Sequence, residues 1–458
     1  MVFSSIIFLF RFLPITLFVY YIAPQKFKNA VLVICSLFFY SWGEVKYFPI
    51  MIASILVDYI VSLVIERNRE KKGICKICMG ISLLFNLGML FFFKYTNFFV
   101  DNINAFAGTH FAGIQLTLPL GISFYTFQTL SYTIDVYRGK TKAERNIVNF
   151  AAFVTLFPQL IAGPIVKYTD VSRELRERKM NLAQINEGIT LFIFGLGKKV
   201  LIANNIGSLW NQVQDIGFSN VSTPLAWLGI LAYSFQIYFD FSGYSLMAIG
   251  MGKMLGFEFP QNFNYPYISK SMTEFWRRWH ITLGSWFREY VYIPLGGNRV
   301  SKPRMYFNIF IVWAATGFWH GASWNFVLWG LFFFVFLVLE KTFLLKYLEK
   351  SRVFSHIYVC FFLVLSWALF AITDFSQLGI FLERLFSFSS GSDWMYYLRN
   401  YLVTFLLAIF CSIPLVEKLY NKIKKIAFVN LLILAVILIV SIAYLVDATY
   451  NPFLYFRF

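Results

Sequence analysis

Apolar runs recur from one end of this chain to the other, at about 2–23, 30–43, 48–65, 74–93, 114–135, 147–166, 184–205, 225–250, 306–339, 355–373, 400–416 and 428–447. About 20 mostly apolar residues are needed to cross a hydrocarbon core of about 30 Å, so most of these runs are near the length of a membrane span. Hydrophobic residues make up 59% of the 458 residues and charged residues 14%, about half the charged share of a soluble domain. One water-soluble core cannot absorb that surface. The expectation is an all-α polytopic membrane protein forming one embedded domain over residues 1–458, multi-pass in the plasma membrane with lipids as its first partners.

The formal charge of +17 does not point to nucleic acid, because the basic residues fall in short clusters between apolar runs. Retention of Lys/Arg-rich short loops on the cytoplasmic side produces that distribution. Clusters at Lys26 and Lys28, at Arg67, Arg69, Lys71, Lys72 and Lys76, and at Arg138, Lys140, Lys142 and Arg145 are therefore assigned inside. Carrying parity through places both termini and the loop 374–399 outside, with Lys418, Lys422, Lys424 and Lys425 inside. The first apolar stretch contains Arg11 and Pro14 and lacks a small-residue cleavage site, so it reads as a retained helix rather than a signal peptide. Cys75 and Cys78 form a lone CxxC with no second pair, which argues against zinc or redox use, and no metal site is expected.

Parity breaks down at two places. Only the segment 147–166 separates the basic cluster Arg173, Arg176, Arg178 and Lys179 from the preceding inside loop, so that segment must enter and return on one side. Its FPQLIAGP sequence (157–164) has the Pro and Gly that interrupt a helix, and irregular backbone at membrane depth must be buried in protein or line a cavity. The stretch 306–339 is too long for one ordinary span and has basic residues on both flanks. With Gly317 and Gly321 near its middle, it is expected to be two helical pieces meeting deep in the membrane. Residues 253–304 mix tryptophans and tyrosines with arginines and are expected to form interfacial helices on the cytoplasmic side.

Four histidines are present. His110 and His356 read as bystanders. His320 lies in TGFWHGASW (316–324), inside an apolar stretch and between glycines; an imidazole at such depth needs a partner or a cavity, so it is the leading functional candidate ahead of a packing role. His280, in EFWRRWHITLGSWFREY (274–290), is either functional or one more interfacial residue among aromatics. Asp240, in YFDFSGYS (238–245), is placed to orient a histidine or arginine or to reach water. The GMGKMLG run at 250–256 has no preceding strand, which argues against a dinucleotide turn.

The runs LPLGISFYTFQTLSYTIDVYRG (118–139), PQLIAGPIVKY (158–168), YFDFSGYS, FEFPQNFNYPYISKSMTEFWRRWHITLGSWFREYVYIPLGGNR (257–299) and GFWHGASWNFVLWG (317–330) resemble the membrane-bound O-acyltransferase family. The likeness is to its bacterial branch, which includes the alginate O-acetylation membrane protein and the D-alanine transfer protein of teichoic acids. It implies a ring of about 11 transmembrane helices, with re-entrant and interfacial helices, around a central tunnel. It also implies His320 at the catalytic position and His280 at the second motif position. Where the branch often has an acidic residue after FSGYS, this chain has Leu246, so no role of that carboxylate transfers.

The expected chemistry is acyl transfer with His320 as general base. The expected donor is a cytoplasmic thioester, acetyl-CoA or alternatively an acylated carrier protein, and no cofactor is held. Arg277, Arg278 and Arg288 are candidates to attract donor phosphates. The terminal PFLYFRF (452–458), within an external motif at 448–458, is similar to the family's terminal aromatic motif, which makes Tyr455 a candidate acyl carrier; an interfacial aromatic anchor is the other reading. The resemblance also implies an extracytoplasmic partner of the serine-hydrolase type. D-alanyl transfer to teichoic acid is the alternative chemistry, and a transporter or flippase is the alternative of another class.

Overall fold

The computed structural model describes residues 1–114, 116–161, 163–447 and 454. Among them every regular element is a helix. Among the described residues, seven helices are long and apolar enough to cross a membrane: Phe48–Arg67, Lys72–Ala107, Leu182–Ile216, Trp324–Leu348, Arg352–Ala371, Asp393–Cys411 and Ala427–Asp447. The chain divides into two compact units, one of Met1–Phe192 with Leu246–Pro260 and one of Ile193–Ser245 with Gln261–Phe458.

The first unit contains α1 (Leu13–Ile22), α2 (Lys28–Ser41), α3 (Phe48–Arg67), α4 (Lys72–Ala107), α5 (Ile122–Tyr137), α6 (Ile147–Thr155), α7 (Phe157–Leu160), α8 (Tyr168–Arg176) and the start of α9 (Leu182–Gly197). Apolar helices gain little from mutual burial when lipid is the alternative, so polar groups and close packing hold them together. Here the hub is Asp58 of α3, fully buried. Its carboxylate accepts from the Ser82 hydroxyl of α4, from Asn86 Nδ2 of α4 at 2.7 Å and from Thr133 Oγ1 of α5 at 3.0 Å. Thr129 of α5 donates to Asn86 Oδ1 at 3.2 Å, closing the network.

The segment 147–166 is broken, as its Pro and Gly imply: nine-residue α6 ends before Leu156 and four-residue α7 follows. At about 1.5 Å per residue neither spans a bilayer. The interruption leaves backbone groups to satisfy, and Ser36 Oγ of α2 accepts from the Phe157 N–H at 3.1 Å. Gly121, at the start of α5, has φ +72°, and a Cβ there would lie 2.5 Å from the Leu160 carbonyl oxygen. Only glycine permits both that conformation and that approach.

The second unit continues α9 through a π-helical stretch, Lys198–Asn204, into α10 (Asn205–Ile216), and holds most of α11 (Thr223–Met254). Two seven-residue helices follow, α12 (Met272–Arg278) and α13 (Ile281–Phe287). Then come α14 (Lys302–His320), α15 (Trp324–Leu339), α16 (Leu345–Leu348), α17 (Arg352–Ala371), α18 (Phe375–Phe386), α19 (Asp393–Cys411), α20 (Leu415–Ile423) and α21 (Ala427–Asp447). The segment around α12 and α13 is made of short helices but is more deeply packed than a surface layer. Phe275 and Trp279 stack against each other at 5.5 Å, and Trp279 meets Trp367 of α17 at 5.0 Å.

Replacing Asp58 by Ala would leave the Ser82, Asn86 and Thr133 donors without their acceptor, at about 1–3 kcal/mol for each buried orphan. Thermal unfolding in detergent is expected to show a large loss of stability for Asp58→Ala and a smaller one for Asp58→Asn, which keeps one acceptor oxygen.

Candidate active site

The 306–339 stretch forms two helices, α14 and α15, joined through Gly321–Ser323, and His320 is the last residue of α14. The two helices pack unusually closely. A Cβ at Gly317 would lie 2.4 Å from the Phe326 carbonyl oxygen, and one at Gly330 would lie 2.3 Å from that of Trp313. This pairing sets the His320 ring among aromatic edges and faces. It lies 4.8 Å from Trp329, 5.0 Å from Trp319 and 5.4 Å from Phe370, all nearly perpendicular. His320 is only 4% exposed.

His280 occupies the turn between α12 and α13, with φ 43° and ψ 52°. Left-handed backbone costs a non-glycine residue about 1–2 kcal/mol, and such strain gathers at functional sites. The surrounding contacts impose it. Residues 262–264 run alongside 278–281, with the Ile281 N–H bonded to the Asn262 carbonyl and the Asn264 N–H to the Arg278 carbonyl, both at 2.9 Å. Asn262 Oδ1 accepts from the Thr282 N–H at 3.3 Å and from Thr282 Oγ1 at 2.8 Å, and it lies 3.1 Å from His280 Nδ1. Since that oxygen can only accept, Nδ1 carries the imidazole proton. Burial pushes the His280 pKa down to about 3, so the ring is neutral near neutrality. The Trp319 ring links the two histidines, at 6.0 Å from His280 and 5.0 Å from His320.

The remaining candidates separate. Arg277 and Arg288 are exposed, whereas Arg278 is held by Glu274 at 2.9 Å and by the Asn264 carbonyl at 3.1 Å. Asp240 is buried and, among the described residues, pairs with a lysine rather than a histidine or arginine. It is 2% exposed, with Lys199 Nζ at 2.6 Å from one oxygen and the Leu454 N–H at 2.9 Å from the other. His356 bonds the Ser269 carbonyl through Nδ1 at 3.1 Å. Tyr455 lies outside the described residues, and of the 448–458 motif only Leu454 is described.

Three residues that the sequence reading did not single out hold candidate residues or the elements that carry them. Asn262 sets the His280 tautomer. Glu340 caps the start of α12, accepting from the Met272 N–H at 2.6 Å, from the Thr273 N–H at 2.9 Å and from Thr273 Oγ1 at 2.7 Å. Lys199 neutralises Asp240. Asn262 stands inside the quoted FEFPQNFNYPY run, which is its only signal in the sequence; Glu340 and Lys199 lie outside every quoted run.

Residues 143–351, which contain both histidines, match the membrane-bound O-acyltransferase family. A probable alginate O-acetylase (AlgI) of Azotobacter vinelandii is 40% identical over 399 residues, covering 86% of this chain and 79% of that protein. This chain belongs to the membrane-bound O-acyltransferase family. It is thus a multi-pass membrane acyltransferase, which decides against the transporter reading. A peptidoglycan O-acetyltransferase of Helicobacter pylori is 39% identical, covering 72% of this chain and 68% of that protein. A teichoic acid D-alanyltransferase of Streptococcus thermophilus is 31% identical over a shorter region, 50% of this chain and 58% of that protein.

The neutral state of His280 has a measurable consequence. With a folded pKa near 3 and an ordinary value of about 6.5 in the unfolded chain, the unfolded state takes up the proton first as pH falls. Stability should therefore decline between about pH 6.5 and 3. His280→Asn, which tolerates the left-handed backbone, should show a flatter melting-temperature profile over that window.

Proposed function

We propose that this acyltransferase passes an acetyl group from acetyl-CoA on the cytoplasmic side to an acceptor on the outer side, for O-acetylation of a cell-envelope or extracellular polysaccharide. The observation that carries this reading is the buried His320, placed by the α14–α15 break beside Trp319 and the strained His280. The two acetylation-type relatives support the acetyl assignment, since they share higher identity over more of the chain than the D-alanyltransferase does. That weaker likeness keeps D-alanyl transfer from a carrier protein as the second reading. The ring of about 11 membrane helices around a tunnel, and the external position of both termini, belong to this proposal.

In the proposed reaction His320 takes the proton of an attacking hydroxyl, a step worth about 10²–10⁴-fold. The oxygen attacks the thioester carbonyl carbon, the carbon–sulfur bond breaks, and the departing thiolate recovers the proton. Arg277 and Arg288, exposed near His280 in sequence, are suited to the donor's phosphates, and His280 acts as a neutral partner in the site. The Tyr455 phenol is proposed as the first acceptor: with a pKa of about 10 it ionises far more readily than a sugar alcohol, and its ester stays reactive enough to pass the group on. A serine-hydrolase-like protein outside the membrane would then collect the group.

Purified, folded His320→Ala is expected to lose acetyl transfer by at least 10²-fold; wild-type transfer by that variant would remove His320 from the chemistry. A donor assay comparing acetyl-CoA with an aminoacylated carrier protein separates the two readings. Arg277→Gln with Arg288→Gln should raise the KM for acetyl-CoA with a weaker salt dependence than wild type. Mass spectrometry is expected to trap an acetyl ester on Tyr455, and full activity of Tyr455→Phe would end the carrier role.

A further inference from the structure

We propose that Arg178 and Lys28 form a buried seat for a phosphate group, presented by the headgroup of an anionic phospholipid or by a soluble phosphate. All the residues that build it belong to the first unit.

Lys28 and Arg178 are 5% and 6% exposed. Both face the Tyr20 ring of α1, with Lys28 Nζ 4.6 Å and the Arg178 guanidinium carbon 5.5 Å from its centroid. The guanidinium also lies 4.4 Å from the centroid of Phe257. Burial, and then the Arg178 charge, hold the Lys28 ammonium below its usual range, so the two cations oppose each other. Glu174 is near enough for the guanidinium to feel its charge, yet among the described residues no carboxylate forms an ion pair with either cation.

Their hydrogen bonds are equally incomplete. Arg178 Nη2 donates to Asn29 Oδ1 at 2.5 Å, and Asn29 is fixed in turn by donating to the Leu175 carbonyl and to Asn149 Oδ1, each at 2.7 Å. The Tyr20 hydroxyl, also beside the guanidinium, donates to the Leu255 carbonyl at 2.6 Å. Arg178 Nε and Nη1 are buried with no hydrogen-bond partner among the described residues, and Lys28 Nζ has the Met180 sulfur at 3.9 Å. A buried charge is costly unless it is paired and hydrogen-bonded, and ring faces return part of that cost. A phosphate supplies both missing things, negative charge and several acceptor oxygens, and its geometry matches the guanidinium fork.

The GMGKMLG run, the end of α11 rather than a dinucleotide turn, makes room for the arginine. Gly256 has φ +84°, and a Cβ there would lie 2.8 Å from Arg178 Cγ and 2.9 Å from Met180 Cγ. Ile22 and Phe27, on the segment that leads from Tyr20 to Lys28, are exposed. They offer apolar surface to acyl chains, which favours a lipid as the source of the phosphate.

The full chain, purified in neutral detergent, is melted with dioleoylphosphatidylglycerol, with dioleoylglycerol, and with sodium phosphate against sodium chloride of equal ionic strength. The variants are Arg178→Gln, Lys28→Gln and Lys179→Gln, the last removing an equal charge from an exposed neighbour. A ligand that binds the folded state raises the melting temperature with its occupancy. The wild type is expected to show a saturable rise with phosphatidylglycerol and none with dioleoylglycerol. Half-saturation should need at least about tenfold more lipid in Arg178→Gln and in Lys28→Gln, each of which loses a charged donor, and should be unchanged in Lys179→Gln. A rise with the lipid alone assigns the seat to a headgroup, and a matching rise with sodium phosphate assigns it to the soluble ion. If Arg178→Gln does not fold, Lys28→Gln decides. A wild type indifferent to both probes, folded variants that bind as the wild type does, or equal weakening in Lys179→Gln would overturn the seat.

Discussion

A polar group surrounded by hydrocarbon has no water to turn to, and that constraint governs how this protein is built. Every carboxylate, amide or interrupted backbone at depth must find its partner inside the chain. Asp58 meets the demand by gathering hydroxyl and amide donors from α4 and α5, so a single acidic residue ties together three apolar helices that would otherwise be equally content facing lipid. The break between α6 and α7 meets it by borrowing Ser36 from α2. Asp240 meets it with a lysine and a backbone N–H from a distant part of the sequence.

The histidine site applies the same rule under tighter geometry. His280 is held in a left-handed conformation that an unconstrained chain would avoid. The pairing of 262–264 with 278–281, and the Glu340 cap on α12, maintain it. Because Asn262 offers an oxygen, the imidazole keeps its proton on Nδ1; because the ring is buried, it stays neutral. His320 is fixed differently, by glycines that let α14 and α15 come almost backbone to backbone. One histidine is thus placed by hydrogen bonds and strain, the other by packing.

Much of this was legible in the residues. The break at 157–164 followed from Pro and Gly inside an apolar run, and the division of 306–339 followed from its excess length and its central glycines. Both are local signals: a helix cannot continue through such residues at no cost, wherever it lies. The interest of His320 followed in the same way, from an ionisable ring where hydrophobicity left no reason for one. Asp240 shows the limit. Its place in an apolar run left a histidine or arginine partner and open water as equal readings, and nothing along the chain named Lys199 or Leu454, which reach it from 41 and 214 positions away.

Hydropathy and helix-breaking residues were thus enough to establish a helical membrane protein, its interrupted segments and its leading histidine, because those properties depend on stretches of a few to about twenty residues. The partners of Asp58 and Asp240, the tautomer of His280 and the closeness of α14 to α15 needed the folded chain. Each is a contact between groups that the backbone brings together only after the helices have packed, and the same residues at the same spacing would permit many other pairings.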